Sequence, residues 1–222
     1  MPALPSRLGS GVNVEIFSDL VCPWCYLGRA RFAAATERFA GDVTVTWRPF
    51  QLDPTAPAAA VPAAAHLADK FGGAERVAEA HERLRGLTAA EGLPYAPEDA
   101  WHVNTFDAHR VIALAGSAGV QDAVVGRLFR AQHAEGRDLG DAATLAELAA
   151  EAGLDAAAVR DLLAADEGAA ELRRELDQAR ALGISGVPFF LFEGEWGVSG
   201  AQPTEVLEGA LREVATHLAA RP

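Results

Sequence analysis

The two cysteines of this 222-residue chain stand together as Cys22-Pro23-Trp24-Cys25, at the seam between two residue patterns of different period. Before them, residues 12 to 18 (VNVEIFS) are β-branched and aromatic with rough alternation, which reads as a strand. After them, YLGRARFAAATERF sets Leu27, Phe32, Ala35 and Phe39 on one helical face. Gly41 lies just past that pattern, where a helix-ending glycine belongs. Residues 43 to 47 (VTVTW) alternate again as a second strand. Two such strands should be parallel, joined by a right-handed crossover. The cysteine pair therefore sits where a strand hands over to a crossover helix, and few folds satisfy that constraint.

The placement has chemical meaning. A helix start offers free backbone N–H groups and the positive end of the helix dipole. Pro23 suits the first turn, because its missing N–H is no loss there. The N–H groups of Trp24 and Cys25 are expected to face a Cys22 thiolate, the species that attacks a disulfide. Cys25 lies one turn inward, placed to attack the resulting mixed disulfide and release the substrate. A structural disulfide is disfavoured in a reducing compartment. A zinc site wants four ligands, whereas only two thiols exist and no close His-x₃₋₅-His pair completes them, so no metal is expected. His66, His81, His133 and His217 show no spacing that suggests chemistry, and Trp47, Trp101 and Trp196 read as core or interface residues.

Beyond Asp53 the chain is proline-punctuated to Pro62 and then helical in period for over a hundred residues. Asn104 with Asp107 resembles a capping box, and Asp141 and Asp155 are good N-caps. Strand character returns in VPFFLF (187–192) and WGVS (196–199), which flank the short loop Glu193-Gly194-Glu195 and suit a hairpin. Pro203 opens a last amphipathic helix. The expected fold is α/β, thioredoxin-like with an inserted all-helical domain. Residues 1–61 and 169–222 form the thioredoxin-like part and residues 62–168 the insertion, expected as a separate helical layer that two or more sheet strands would contradict. Within Gly186-Val187-Pro188-Phe189-Phe190 two readings stay open. Pro188 marks an edge strand, or a cis Val187–Pro188 bond brings the loop against the cysteines. In the second case the Val187 backbone can pair with an extended substrate, and the Pro188 ring keeps metals from the thiols.

Net charge excludes one class of partner. With 19 Lys+Arg against 31 Asp+Glu, the chain carries −12, the wrong sign for a protein that binds nucleic acid by neutralising phosphates. No run of ~18 apolar residues suggests a membrane span. With no apolar leader before the first strand, the expectation is a soluble cytoplasmic protein.

In order along the chain, VCPWCYLG, WRPFQLDP, NTFDAHR, FRAQHAEGRDLGD, GISGVPFF and SGAQP resemble the DsbA-like FrnE group of thioredoxin-fold oxidoreductases, from about Val12 to Leu211. The resemblance implies dithiol–disulfide chemistry, with Cys22 as nucleophile, Cys25 as resolving thiol and Pro188 as a cis-proline. It offers Glu15 as the buried acid that assists proton transfer from the second thiol, with a solvated strand glutamate as the alternative, and makes Asn104 to His109 one wall of the cleft. His109 there would supply a proton or positive charge, or simply fill the interface. Trp24 stands where periplasmic DsbA proteins often carry histidine, which argues for a weaker oxidant. Related 2-hydroxychromene-2-carboxylate isomerases and kappa-class glutathione transferases share the architecture but typically carry serine at the position of Cys22.

Gln202 and Pro203 start the last helix, whose N–H groups either hold an anion such as a glutathione carboxylate or merely begin the helix. The leading functional reading is a thiol–disulfide oxidoreductase acting on protein or small-molecule substrates. It holds no tightly bound cofactor, takes glutathione as an optional co-substrate, and is free to form a homo-oligomer. A glutathione-dependent isomerase or transferase and a redox-sensing binding module are the alternatives.

Overall fold

The computed structural model describes residues 11–221. Strand β1 (Val12–Ser18) runs into helix α1 (Pro23–Arg38), which crosses over to β2 (Val43–Pro49). The two strands are parallel, with Val12 opposite Val43 and Ser18 opposite Pro49. Near the other end of the chain, β5 (Phe189–Phe192) and β6 (Trp196–Ser199) form a hairpin that joins β1 antiparallel, giving the sheet order β2-β1-β5-β6. The hairpin turns through Glu193 (φ 51°) and Gly194 (φ 68°), both left-handed, the twist that such a turn demands.

Period-two alternation assigns the two faces of the sheet. Val12, Val14, Ile16, Phe190 and Phe192 are buried on the side of α1 and the last helix, α9 (Thr204–Ala219). There Phe32 of α1 stacks on Phe190 with ring centroids 5.2 Å apart. The alternate residues Phe17, Phe189 and Leu191 face Ala179 and Ile184, at and just beyond the end of α8 (Ala169–Ala181).

Between β2 and α8 the described chain is mostly helical: α2 (Ala63–Phe71), α3 (Ala74–Ala90), α4 (Phe106–Ser117), α5 (Gln121–Ala134), α6 (Ala142–Glu151) and α7 (Ala156–Ala164). One continuous cluster of buried side chains runs from the sheet through Phe129 of α5 to Leu148 of α6 and Val159 of α7. The helical layer is thus fused to the sheet by shared packing.

Asp141 and Asp155 cap α6 and α7, accepting from Thr144 N (2.9 Å) and Ala157 N (2.8 Å). Three expectations are corrected. The helical region contains a two-residue ladder, β3 (Val61–Pro62) against β4 (Trp101–His102), set apart from the main sheet. Thr105, not Asn104, is the N-cap of α4, and Asp107 pairs with Arg110 instead of closing a box. The last stretch of strand character begins its ladder at Phe189, because Pro188 has no N–H to give.

Candidate active site

Cys22 is the N-cap residue of α1, with Pro23 in the first turn. Its N–H donates to the Asp19 carbonyl at 3.1 Å, which folds the chain sharply from β1 into the helix. The Cys25 N–H, expected to face the Cys22 sulfur, donates instead to the Cys22 carbonyl (3.0 Å), so less of the helix start is aimed at the thiolate than the pattern implied. Both cysteines are free and buried, Cys22 at 5% exposure and Cys25 at 0%, and they lie 3.5 Å apart. Trp24 between them is exposed.

The Val187–Pro188 peptide is cis, and the Val187 carbonyl accepts from Cys22 Sγ at 3.7 Å. A residue of α1 makes this approach feasible. A Cβ on Gly28 would stand 2.9 Å from Pro188 Cγ, so glycine is what lets the helix and the prolyl loop touch. Arg31, three residues on, ties α1 to the segment after β6 by donating to the Ala201 carbonyl at 2.8 Å.

Behind the thiols lies a buried polar group from the loop just before Cys22. Asp19, 1% exposed, accepts from Leu52 N through Oδ2 (2.7 Å), while Oδ1 has no hydrogen-bond partner. That oxygen is 3.7 Å from His109 Nε2, and His109 in turn contacts the Phe50 carbonyl at 3.1 Å. Cys25 sits close to Asp19. Burial pushes the Cys25 thiol well up, its hydrogen bond and charge interaction with Cys22 push it further, and the Asp19 carboxylate adds to the rise against an opposing backbone hydrogen bond at Asp19. Cys25 therefore keeps its proton until something takes it. His133, fully buried, has its pKa pushed down to about 4 by burial. It meets the Leu20 carbonyl at 2.9 Å and stacks on Tyr26.

The expected site residues divide into three groups. Cys22, Pro23, Trp24, Cys25, Val187 and Pro188 converge. Asn104 and His109 stand behind them and do not line the cavity over Cys22. Asn104 Oδ1 accepts from Gln51 Nε2 and Phe106 N, both at 2.9 Å, and its amide donates to the Pro54 carbonyl (3.1 Å), fastening the loop after β2 to α4. Glu15 and Gln202 take other roles. Glu15 pairs with Arg48 (2.7 Å), which also reaches Glu175, so the buried acid near the second thiol is Asp19. Gln202 donates to the Ser199 carbonyl (2.8 Å) and closes the turn before α9.

Cys22 opens into a cavity of about 430 Å³, walled by Trp24, Leu52, Leu84, Tyr95 and Trp101. Gln132 donates to the Trp101 carbonyl (2.8 Å), but its buried Oε1 is unpartnered. The cavity also brings together Asp53, His66 and His102, which no local spacing could have joined.

A dithiol at the start of the crossover helix, facing a prolyl loop from the returning strands, places the molecule among the thioredoxin-fold proteins. More narrowly, the chain belongs to the DSBA-like thioredoxin family, whose model matches residues 13–212. It is similar to a crystal structure described as a probable DsbA oxidoreductase from Streptomyces coelicolor, with 40% identity over 95% of this chain and 92% of that one and a TM-score of 0.88. It shares 28% identity with the YwbO protein of Bacillus subtilis, over 91% of this chain and 96% of the relative. The cytosolic disulfide reductase DsbM of Pseudomonas aeruginosa, solved with GSH, has the same fold at 21% identity, with a TM-score of 0.62 over 93% of this chain and 96% of that one. Among the described residues no helix is long and apolar enough to cross a membrane.

Proposed function

We propose that the protein is a thiol–disulfide oxidoreductase in which Cys22 attacks and Cys25 resolves. The observation that carries this reading is the pair itself: two free thiols 3.5 Å apart, one opening into a cavity and the other sealed beneath it. In the reducing direction the Cys22 thiolate attacks a substrate disulfide, forming a Cys22–substrate disulfide and expelling the first substrate thiol. Cys25 then gives its proton to the Asp19 carboxylate and attacks Cys22 Sγ. The Cys22–Cys25 disulfide forms, the second substrate thiol leaves, and two electrons have passed to the substrate. Asp19 suits the task because a buried, half-satisfied carboxylate lies beside a thiol whose own ionisation is held back.

In this reading two glutathione molecules restore the dithiol and leave as their disulfide, which suits the reducing conditions of a cytoplasm. The paired thiols favour this cycle over glutathione-dependent isomerisation, which needs no second cysteine.

An insulin-reduction assay on wild type, Cys22→Ser and Cys25→Ser tests the reading. Cys22→Ser should lose all turnover. Cys25→Ser should stop after one attack and accumulate a substrate adduct visible by mass. Sustained turnover by Cys25→Ser would sink the dithiol cycle and favour isomerase or transferase chemistry.

A further inference from the structure

We propose that Asp53, His66 and His102 form a binding site for a divalent late first-row transition ion of the Zn²⁺ type, in the wall of the cavity shared with Cys22. The three residues come from separate parts of the chain: the loop after β2, helix α2, and strand β4. The β3–β4 ladder brings them together by setting Val61 opposite His102, and α2 starts directly after Pro62. One ligand atom from each lies within 4.8 Å of the others.

The chemistry of the donors points to a metal. Two imidazoles and one carboxylate suit zinc, cobalt or nickel and are poorly suited to magnesium or calcium, which want oxygen ligands. The carboxylate is already oriented. Asp53 Oδ1 accepts from both Thr55 N (2.9 Å) and Thr55 Oγ1 (2.7 Å), which leaves Oδ2 facing His102 Nε2 at 3.6 Å. Ligating carboxylates are commonly fixed by such partners. The imidazoles of His66 and His102 are stacked, with ring centroids 3.6 Å apart and planes 10° from parallel. Among the described residues neither ring makes a hydrogen bond, so no hydrogen bond has to be broken to bind an ion.

A common ion at ~2.0–2.2 Å from each donor requires the rings to turn out of the stack. The half-buried position of His66 and the open cavity beside it allow that rotation. Three protein ligands leave a further coordination position free, as in zinc sites that exchange a water or substrate.

The test uses the full chain with Cys22 and Cys25 both changed to serine, so that the thiols cannot bind the ion and the outcome is independent of the dithiol cycle. Co²⁺ is the probe, read by its visible absorbance, with Zn²⁺ as competitor. One Co²⁺ per chain should bind and be displaced by Zn²⁺. Affinity should fall at least tenfold in His66→Ala and in His102→Ala, and stay within twofold in His81→Ala, which alters the same cavity outside the triad. No uptake, or equal uptake in all variants, overturns the proposal. If the alanine variants do not fold, histidine-selective ¹⁵N spectra of the His-intact protein decide it. Zn²⁺ should shift His66 and His102, and shifts confined to other histidines overturn the site.

Discussion

Arg110 and Asp19 carry opposite charges, are 5% and 1% exposed, and are held in contrasting ways. The guanidinium of Arg110 donates to the carbonyls of Leu162 (2.6 Å), Ala165 (2.5 Å) and Glu167 (2.7 Å), and to the Asp107 carboxylate (2.8 Å). It gathers carbonyls at and just beyond the end of α7 and ties them to α4. The Asp19 carboxylate receives one backbone N–H, and its other oxygen faces only His109 at 3.7 Å. A fully satisfied buried charge acts as a fastener. A half-satisfied one costs stability, and beside a thiol held protonated by burial it fits the proton-acceptor role proposed for Asp19.

Removing the fastener should have the largest effect. Arg110→Ala removes the charge-assisted hydrogen bonds to the three carbonyls, while the half-exposed Asp107 carboxylate turns to water, at a cost of roughly 3–5 kcal/mol for the bonds lost, read as a lower midpoint in urea unfolding. Arg110→Lys should recover only part, since an ammonium cannot reproduce the planar fork. The thiol chemistry per folded molecule should not change. A loss under 1 kcal/mol in the alanine variant would dissolve the contrast.

The second prediction concerns acid, and His133, which packs under the same corner as Asp19. Its pKa is about 4 in the folded protein against 6.5 for the ordinary group. Above pH ~6.5 it is neutral in both states and has no effect. Between there and about pH 4 the unfolded chain takes up a proton that the folded chain refuses. Stability therefore falls as pH falls, by roughly 3 kcal/mol at the foot of the window. His133→Gln keeps a donor for the Leu20 carbonyl and removes the titration. Urea unfolding at pH 7, 5.5 and 4.5 should show a flatter acid slope in the variant, and equal slopes would exclude His133 as the source.

This corner also shows what a sequence makes legible. The strand-to-helix passage around Cys22 and the caps at Asp141 and Asp155 are local, each decided by residues within a few positions, and the sheet is legible in four short segments of strand character. The misplaced features depend on distant parts of the chain. The family resemblance offers Glu15 as the inner acid, yet Arg48, diagonal to it across the β1–β2 pair, holds its carboxylate. Asn104 does accept from the first N–H of α4, but the loop after β2 shares its side chain, and Arg110 takes the Asp107 that would close a box. His66 and His102 are 36 positions apart, and only a two-residue ladder brings their rings into contact.

The smallest effects separate the two acids. Asp19→Asn keeps the shape and an acceptor for Leu52 N while removing the ability to take a proton from Cys25. Attack by Cys22, followed as mixed-disulfide formation, should change little. Resolution, followed as release of the second substrate thiol, should slow roughly 10- to 100-fold, a modest share of what positioned general bases contribute. It should also become steeper with rising pH, because hydroxide must then remove the Cys25 proton. A merely structural role for Asp19 would shift both steps together and leave the pH profile unchanged. Glu15→Gln is the matching control. Arg48 keeps Glu175 as a partner at 3.4 Å, and a half-exposed ion pair is worth at most about 1 kcal/mol, so stability should move by less than that. Both thiol steps should stay within twofold of wild type, since Glu15 faces Arg48 and not the sulfurs. A slow, pH-shifted resolution step in Glu15→Gln with a normal one in Asp19→Asn would return the inner acid to β1 and reverse the assignment made from the structure.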